Sequence, residues 1–387
     1  MFRSGQYEAA AARLAKGVEE QGDGGRDVLL YLLDEGLALH AAGKYAESNR
    51  VFQKADRIAE IKDYTSIATE AATLLVSDNI KDYKGEEFEN VLISAYLAMN
   101  YALMGDSENA QVEARRVNRK LELMVSQGGR KYQQNAFARY LSAIVHEAQG
   151  EWNDAYIDYK KTFELTPDYP GLGRDLVRAA SVLGMGDQVD EWREKLSLSR
   201  EDVKDARKVV PKSEGGKGMG EIIVIYQNGI SPVKQPNPQW GSLPHFVPRF
   251  NPVRSAQIEI NGQVKGSTTV LHDIEAIAIQ NLNEKYGGMV AKKVGGVVAK
   301  ELLAHQIEKQ TNNPLLGLLA RVTLYASDQA DLRSWNLLPR DLEMARFPVD
   351  PGTYQVRALP VGAAPLPEKN VQVQAGKKVF VNFRYMP

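Results

Sequence analysis

Hydrophobic and polar positions follow two different grammars along the chain. Up to about residue 205 the apolar positions keep a helical period. Beyond residue 220 they run together or alternate in short blocks. The block Glu221-Ile222-Ile223-Val224-Ile225-Tyr226 is an unbroken β-branched run and predicts a buried strand. From Ala256 to Gly262 the residues alternate, with Ile258 and Ile260 inward, and Asn261-Gly262 closes the run as a hairpin signal. Strands are also predicted over 341–347, Thr353–Leu359, Asn370–Val373 and Val379–Tyr385, with turns at Pro351-Gly352 and Ala375-Gly376-Lys377. Between these strands the period predicts helices over Asp273–Tyr286, Met289–Gln310 and Pro314–Ala326. Proline marks the same division. Of 17 prolines only Pro167 and Pro170 precede residue 200, and proline is poorly tolerated inside helices. The polar, glycine-rich stretch from Lys212 to Gly220 reads as the linker.

The helical half repeats. Gly43-Lys44-Tyr45 is followed by Ser48, Phe52 and Ala55, and Gly150-Glu151-Trp152 by Ala155, Tyr159, Thr162 and Pro167. Gly105-Asp106-Ser107 leads to Ala110 and Ala114, and Gly186-Asp187 opens a weaker copy. These units resemble the tetratricopeptide repeat, a helix–turn–helix of about 34 residues. Glycine makes the turn, a small residue admits the second helix, and an aromatic fills the groove between neighbours. The copies are spaced irregularly, and the 62 residues between Gly43 and Gly105 call for an additional helix over Tyr64–Ser77. Gly5-Gln6-Tyr7, followed by Ala10, Leu14 and Gly17, resembles the turn and second helix of another copy, whose first helix is expected upstream of Met1, the alternative being a half-repeat that serves as a cap. The fold class expected is α+β multidomain. An all-α tetratricopeptide-like solenoid (1–205) is joined by a linker (206–220) to an α+β module (221–387), with strands in 221–270 and 341–385 and a helical insertion at 273–326.

Charge and composition narrow the chemistry. Lys+Arg 48 against Asp+Glu 49 gives a net charge of -1 with no basic stripe, so nucleic acid is not expected as a partner. The absence of cysteine excludes disulfides and thiolate chemistry within the chain. Five histidines, none paired at helical spacing, predict no metal centre, and no cofactor is expected. The phosphate-binding loop, dinucleotide fingerprint and nucleophile elbow are all missing. His272-Asp273-Ile274-Glu275 reads as a helix start, with Asp273 favoured there by the macrodipole.

Candidate binding residues fall in two places. By repeat register His40, Asn100, Tyr140 and Glu147 line the concave face where such solenoids take peptides. In the second half, Arg249 sits in the proline-rich segment Pro244–Phe250, read as a crossover burying Phe246 and Phe250 or as a platform for a partner. Trp335, beside Arg333, reads as a core anchor or a partner contact, with Arg333 and Arg346 stacking on it or bridging acids. The Gly287-Gly288 and Gly295-Gly296 pairs with Val290, Val294, Val297 and Val298 read as close helix packing in the core, the alternatives being membrane insertion, which Lys292, Lys293, Lys300 and Glu301 interrupt, and an amphipathic helix against a subunit or membrane surface.

Three groups of residues in the first half resemble a bacterial family of envelope lipoproteins that carry tetratricopeptide repeats and have no settled activity: Asp82–Glu89, Ala95–Tyr101 and Val112–Asn118. Val247-Pro248-Arg249, Asp331–Trp335, Ala345–Val349 and Pro351–Tyr354 are similar to the same family's carboxyl half. The resemblance implies export, a lipid anchor on an N-terminal cysteine upstream of this chain, and no catalytic residues to carry over. The expectation is a non-enzymatic scaffold at the periplasmic side of the outer membrane that binds a protein or peptide partner of the envelope and touches membrane only through its anchor; a homo-oligomer is compatible with it. The alternatives are an enzyme or regulator of cell-wall metabolism with its site in 221–387, and a cytoplasmic adaptor.

Overall fold

The computed structural model describes residues 1–69, 81–126, 134–210, 218–311, 313–319 and 329–387. Among the described residues nine helices lead off: α1 (Tyr7–Gln21), α2 (Val28–Ala41), α3 (Tyr45–Thr69), α4 (Glu87–Leu103), α5 (Ser107–Ser126), α6 (Ala136–Ala148), α7 (Trp152–Leu165), α8 (Leu172–Val182) and α9 (Gly186–Lys195). The short α10 (Arg200–Ala206) follows. From α1 to α9 each packs on the next, as a tetratricopeptide-like solenoid requires, and α10 packs back on α8.

One turn recurs. Gly43, Gly105, Gly150 and Gly184 all sit at φ between 72° and 77°, a region that penalises a Cβ. In each case the glycine N–H and the next N–H return to the end of the preceding helix: Gly43 to His40 O and Lys44 to Leu39 O, Gly150 to His146's neighbour Glu147 O and Glu151 to His146 O. Gly5, at φ 75°, repeats the motif ahead of α1. The fourth turn belongs to Gly184, 34 positions after Gly150, whereas the sequence pointed to Gly186, which is the first residue of α9. Gly36 lets α3 approach α2: a Cβ there would lie 2.6 Å from the Phe52 ring. In the long interval between Gly43 and Gly105, α3 runs on to Thr69; the remainder of the helix expected over Tyr64–Ser77 lies outside the described residues.

The second half forms two four-stranded sheets. The first has the order β10 (Lys378–Tyr385), β1 (Gly220–Asn228), β7 (Asp341–Val349), β6 (Thr269–Asp273). In it β1 runs parallel to β10 and antiparallel to β7. The second has the order β5 (Gln263–Ser267), β4 (Ala256–Ile260), β8 (Gly352–Pro360), β9 (Lys369–Val373). Asn261 and Gly262, both at positive φ, make the tight β4–β5 turn. A small hairpin, β2 (Val233–Pro236) with β3 (Pro244–Val247), forms in the proline-rich stretch.

Three layers result, and they explain why β1 is apolar throughout. Ile222, Val224 and Tyr226 join Ile258, Val356 and Phe383 between the two sheets. Ile223 and Ile225, on the other face, belong to the core formed with α2, α4, α6 and α8. A one-residue slip would exchange the faces, turning Glu221 and Gln227 into the sheet sandwich, so the register is strongly specified.

Three expectations are corrected. The helices predicted over 273–286 and 289–310 are one helix, α11 (Ile274–Thr311); glycine costs a helix about 1 kcal/mol but does not end it. Residues 314–319 are helical, and 320–326 lie outside the described residues. The valines of α11 do not pack in the core: Val294, Val297 and Val298 are exposed. Phe250 is not buried by a crossover but stands 84% exposed, while Phe246 packs partly against the core. Asp273 caps α11 as expected, its Oδ1 accepting the Ala276 N–H at 2.9 Å.

Candidate binding groove and its occupant

The first helix of each repeat (α2, α4, α6, α8) faces the concave side, and four of the predicted site residues lie there. His40, Asn100, Tyr140 and Glu147 are each 4% exposed or less. They meet no solvent because the chain's own second half fills the groove.

The occupant is held first by an irregular strap, residues 331–338, laid along α2 and α4. Glu89 of α4 accepts the Trp335 N–H at 2.8 Å, and Asp34 of α2 accepts the Leu337 N–H at 3.2 Å. Arg333 bonds Asp27 at 2.7 Å and the Lys81 carbonyl at 2.9 Å. The Trp335 indole packs against both Phe52 and Tyr96, which stack on each other, with both ring centroids 5.8 Å away. Carboxylates gripping backbone N–H groups around one buried aromatic is how a groove holds an extended peptide. Here the peptide is internal. Arg333 and Arg346 bridge acids and do not stack on Trp335; their guanidinium groups lie over Tyr83 and Tyr140 instead.

The first sheet fills the rest of the groove, with two polar clusters flanking an apolar centre. At the α6–α8 end, Arg346 bonds Glu221 at 2.9 and 2.6 Å, Tyr159 at 2.8 Å and Glu147 at 3.2 Å, and lies 3.1 Å from Asp175. Arg178 bonds Glu147 and Asp175, and Lys378 bonds Glu147 and Glu221. Three cations thus face three carboxylates with no net charge. Burial by itself would raise the Glu221 carboxyl, but Arg346, Lys378 and Arg178 hold it down at about 2, and the Glu147 carboxyl is held well below the usual range by Arg178, Lys378 and Arg346 against the same burial. Tyr140 donates to Asp175 at 2.5 Å, and Tyr159 donates to Glu147. Beside this cluster a crevice of about 250 Å³ opens between α8 and the edge of the sheet, lined by Tyr169, Arg174, Thr269 and Phe347 among others.

At the α2–α4 end the cluster is uncharged. His40 Nδ1 lies 2.5 Å from Asn100 Oδ1, while Gln227 Nε2 and Asn382 Nδ2 reach His40 Nε2 at 2.6 and 3.1 Å. Asn100 uses its Nδ2 on Ser48 and Asn49, so its oxygen faces His40. The imidazole therefore donates from Nδ1 and accepts at Nε2, the neutral form. Burial pushes its pKa down to about 4, opposed by the Asn100 bond and assisted by Lys369 and Arg384. The folded value lies below the ordinary 6.5, so the unfolded chain takes up the proton first as pH falls. The contribution is complete above about 6.5 and declines between 6.5 and 4, by about 3 kcal/mol at its full extent. Urea unfolding of the wild type and of His40→Gln between pH 7 and 4 will show the steeper acid loss in the wild type. Parallel slopes would mean that His40 titrates normally in the folded chain.

Arg249 is the one predicted site residue near the surface. Its guanidinium bonds the Asn336 carbonyl at 3.2 Å and Oδ1 at 3.3 Å, pinning the proline-rich loop to the strap. Beyond it Phe250 and Trp240 project, 84% and 47% exposed. Lys234 anchors the other end of the loop on Glu86 at 2.6 Å.

Sequence reading missed most of the groove's occupant. Glu221, Gln227, Asn382, Arg178 and Asp175 carry the interface, and their signal was a polar residue at a face position of an otherwise apolar strand or helix. Among the described residues, His146, Glu151 and Asp154 could offer three metal-ligand atoms within 4.8 Å of one another. Arg115, 2.8 Å from Glu151, already supplies that carboxylate with positive charge, and His146 Nδ1 bonds it at 2.9 Å.

No protein-family model and no curated protein matches the chain. Among solved structures, MamA is similar over 52% of this chain and 93% of its own, with 14% identity and a TM-score of 0.34. A MamA structure labelled AMB-1 covers 51% and 91%, with 14% identity and a TM-score of 0.32. A Podosopora anserina kinesin light chain with nearly identical TPR-like repeats covers 53% and 88%, with 14% identity and a TM-score of 0.34.

Proposed function

We propose that the chain is a non-enzymatic scaffold of the bacterial cell envelope whose solenoid holds its own carboxyl half and whose partner face points outward. One observation carries this reading: the concave face is occupied by residues 331–338 and the first sheet through buried hydrogen bonds and ion pairs. A partner protein is therefore met by the outer surface, at the proline-rich segment that exposes Trp240 at the tip of the β2–β3 hairpin and Phe250, next to Arg249, past its base. Rigid aromatics next to an arginine form the kind of anchor on which interface energies concentrate. Placement at the periplasmic side of the outer membrane, through an anchor upstream of Met1, rests on the resemblance of Asp82–Glu89, Asp331–Trp335 and Ala345–Val349 to the envelope lipoproteins.

Photo-crosslinking in cells tests the partner face. A crosslinker at position 250 will yield a discrete protein adduct, and one at exposed Ile61 will not. Trp240→Ala will lower the yield at position 250 by roughly tenfold. Adducts from position 61 alone, or a yield indifferent to Trp240→Ala, would remove the loop from the partner face. Fractionation of the native protein, with mass spectrometry of its amino terminus, tests the location: a soluble cytoplasmic form would overturn the envelope assignment.

A further inference from the structure

We propose that Asp341 and Glu343 hold one proton between them, and that this proton latches segment 251–253, at the foot of exposed Phe250, to the sheet sandwich. Both lie two positions apart on β7, on the face that turns Ala345 and Phe347 toward the second sheet. Neither is solvated, Asp341 being 2% and Glu343 0% exposed. Their carboxyl groups are in hydrogen-bonding contact. Carboxylates only accept, so such a contact needs a proton between them.

The charges on the surrounding elements leave room for that proton. Asp273 of β6 stands opposite Asp341 in the ladder, and Glu275 follows in the first turn of α11. The cation shared by these acids is Arg340, 3.5 Å from Glu275 and 3.6 Å from Asp341 Oδ2. Exposed Arg254 acts on Glu275. Arg384 of β10 acts on Asp341 from the opposite face of the sheet, where it bonds the Leu337 carbonyl at 3.2 Å. Burial keeps His272 neutral, with its pKa down at about 3, and likewise keeps Tyr226 and Tyr169 uncharged. Asp341 Oδ1 is left with no donor among the described residues. The Arg346 cluster, by contrast, sets three cations against three carboxylates.

Asn228 carries the effect outward. Its Nδ2 donates to Glu343 Oε1 and to the Val253 carbonyl, both at 3.2 Å. Its Oδ1 accepts from Asn251 Nδ2 at 3.1 Å, and Asn251 Oδ1 in turn accepts the Val253 N–H at 3.1 Å. Thr268 donates to Glu343 Oε2 and accepts the Ala256 N–H at 2.9 Å, tying the same carboxyl to β4. A second negative charge on the pair repels the first in a buried site and drives one carboxylate toward water. Asn228 then loses its orienting acceptor, and segment 251–253 its anchor.

Burial pushes both groups up, Glu343 to about 8 against the Thr268 bond and Asp341 to about 6 against the Glu343 bond and Arg340. The ordinary values are 4.5 and 3.8, so the folded chain keeps a proton that the unfolded chain has released. Stability from this pair is therefore full at acid pH and falls as pH rises toward 8.

The test compares the full chain with Glu343→Gln, whose amide stands in for the protonated carboxyl. Infrared difference spectra at about pH 7 will show a protonated-carboxyl stretch that the variant lacks. Between about pH 6 and 8 the folding constant of the wild type will fall roughly tenfold per pH unit relative to the variant's. At about pH 8.5 the Val253 amide will exchange several-fold faster in the wild type, and at about pH 6 equally. Asp341→Asn, which removes the like charge, will behave as Glu343→Gln does and covers the case in which that variant does not fold. Identical infrared spectra, parallel stability curves or equal exchange at the higher pH would overturn the proposal. So would stabilisation by millimolar calcium without the carboxyl band, since a cation would then stand in place of the proton.

Discussion

Arg346→Ala will lower the unfolding free energy by about 3–5 kcal/mol, the range for breaking one member out of a buried ion network. The side chain is 8% exposed and is shared by Glu221, Glu147, Asp175 and the Tyr159 hydroxyl. Its loss leaves Arg178 and Lys378 facing three carboxylates whose side chains are 5% exposed or less. The cost is therefore mainly that of an uncompensated buried charge and only secondarily that of the lost bonds. Two companion variants separate these contributions. Arg346→Lys keeps the charge but loses the fork that grips both Glu221 oxygens, and will fall between wild type and alanine. Arg346→Met with Glu221→Gln removes one charge of each sign and will recover much of the loss. Urea denaturation measures all three. A penalty below about 1 kcal/mol for Arg346→Ala would mean that the network is hydrated and weak.

Trp335→Ala will cost about 3–5 kcal/mol as well, for a different reason. The residue heads the fully buried large side chains, at 1% exposure, and its removal opens a cavity beside the stacked Phe52 and Tyr96 rings. The indole N–H has no hydrogen-bond partner, so Trp335→Phe loses volume without stranding a polar group and will cost far less. The Glu89 bond is made to the backbone and survives either change. Hydrogen exchange will report the loss locally, with amides from 331 to 338 exchanging faster in the alanine variant. Unchanged exchange in the strap would show that the carboxylates of Asp34 and Glu89 hold it without the aromatic.

The turns and strands were legible because their causes are local. A glycine at positive φ leaves a mark that no other residue makes as cheaply, and the β4–β5 turn was readable from Asn261-Gly262 alone. The copy at Gly186 was displaced by two residues because two glycines stand there and only the backbone tells which one turns. What occupies the groove was not legible. His40, Asn100, Tyr140 and Glu147 were expected on the concave face, and polar residues on a concave face look ready for a partner whether or not one already lies there. Their mates Gln227, Asn382 and Arg346 are far away along the chain and hidden in strands, and no periodicity links them. The valines of α11 erred in the opposite direction: an apolar arc has the same pattern whether it faces a core or projects from the body.

The position of β10 has a consequence for how the molecule comes into being. β10 pairs with β1, so the layer that covers the concave face is completed only after residue 385 has left the ribosome. Until then the helices of a nascent solenoid present Leu33, Ile93, Tyr96 and Phe137 with nothing to cover them, and β1 offers one unpaired edge. Pairing at such long sequence separation is slow, and an apolar face waiting on it is a target for chaperones or for aggregation. Truncation after residue 377 would remove all of β10, including Asn382 and Phe383, and leave β1 with an unpaired edge.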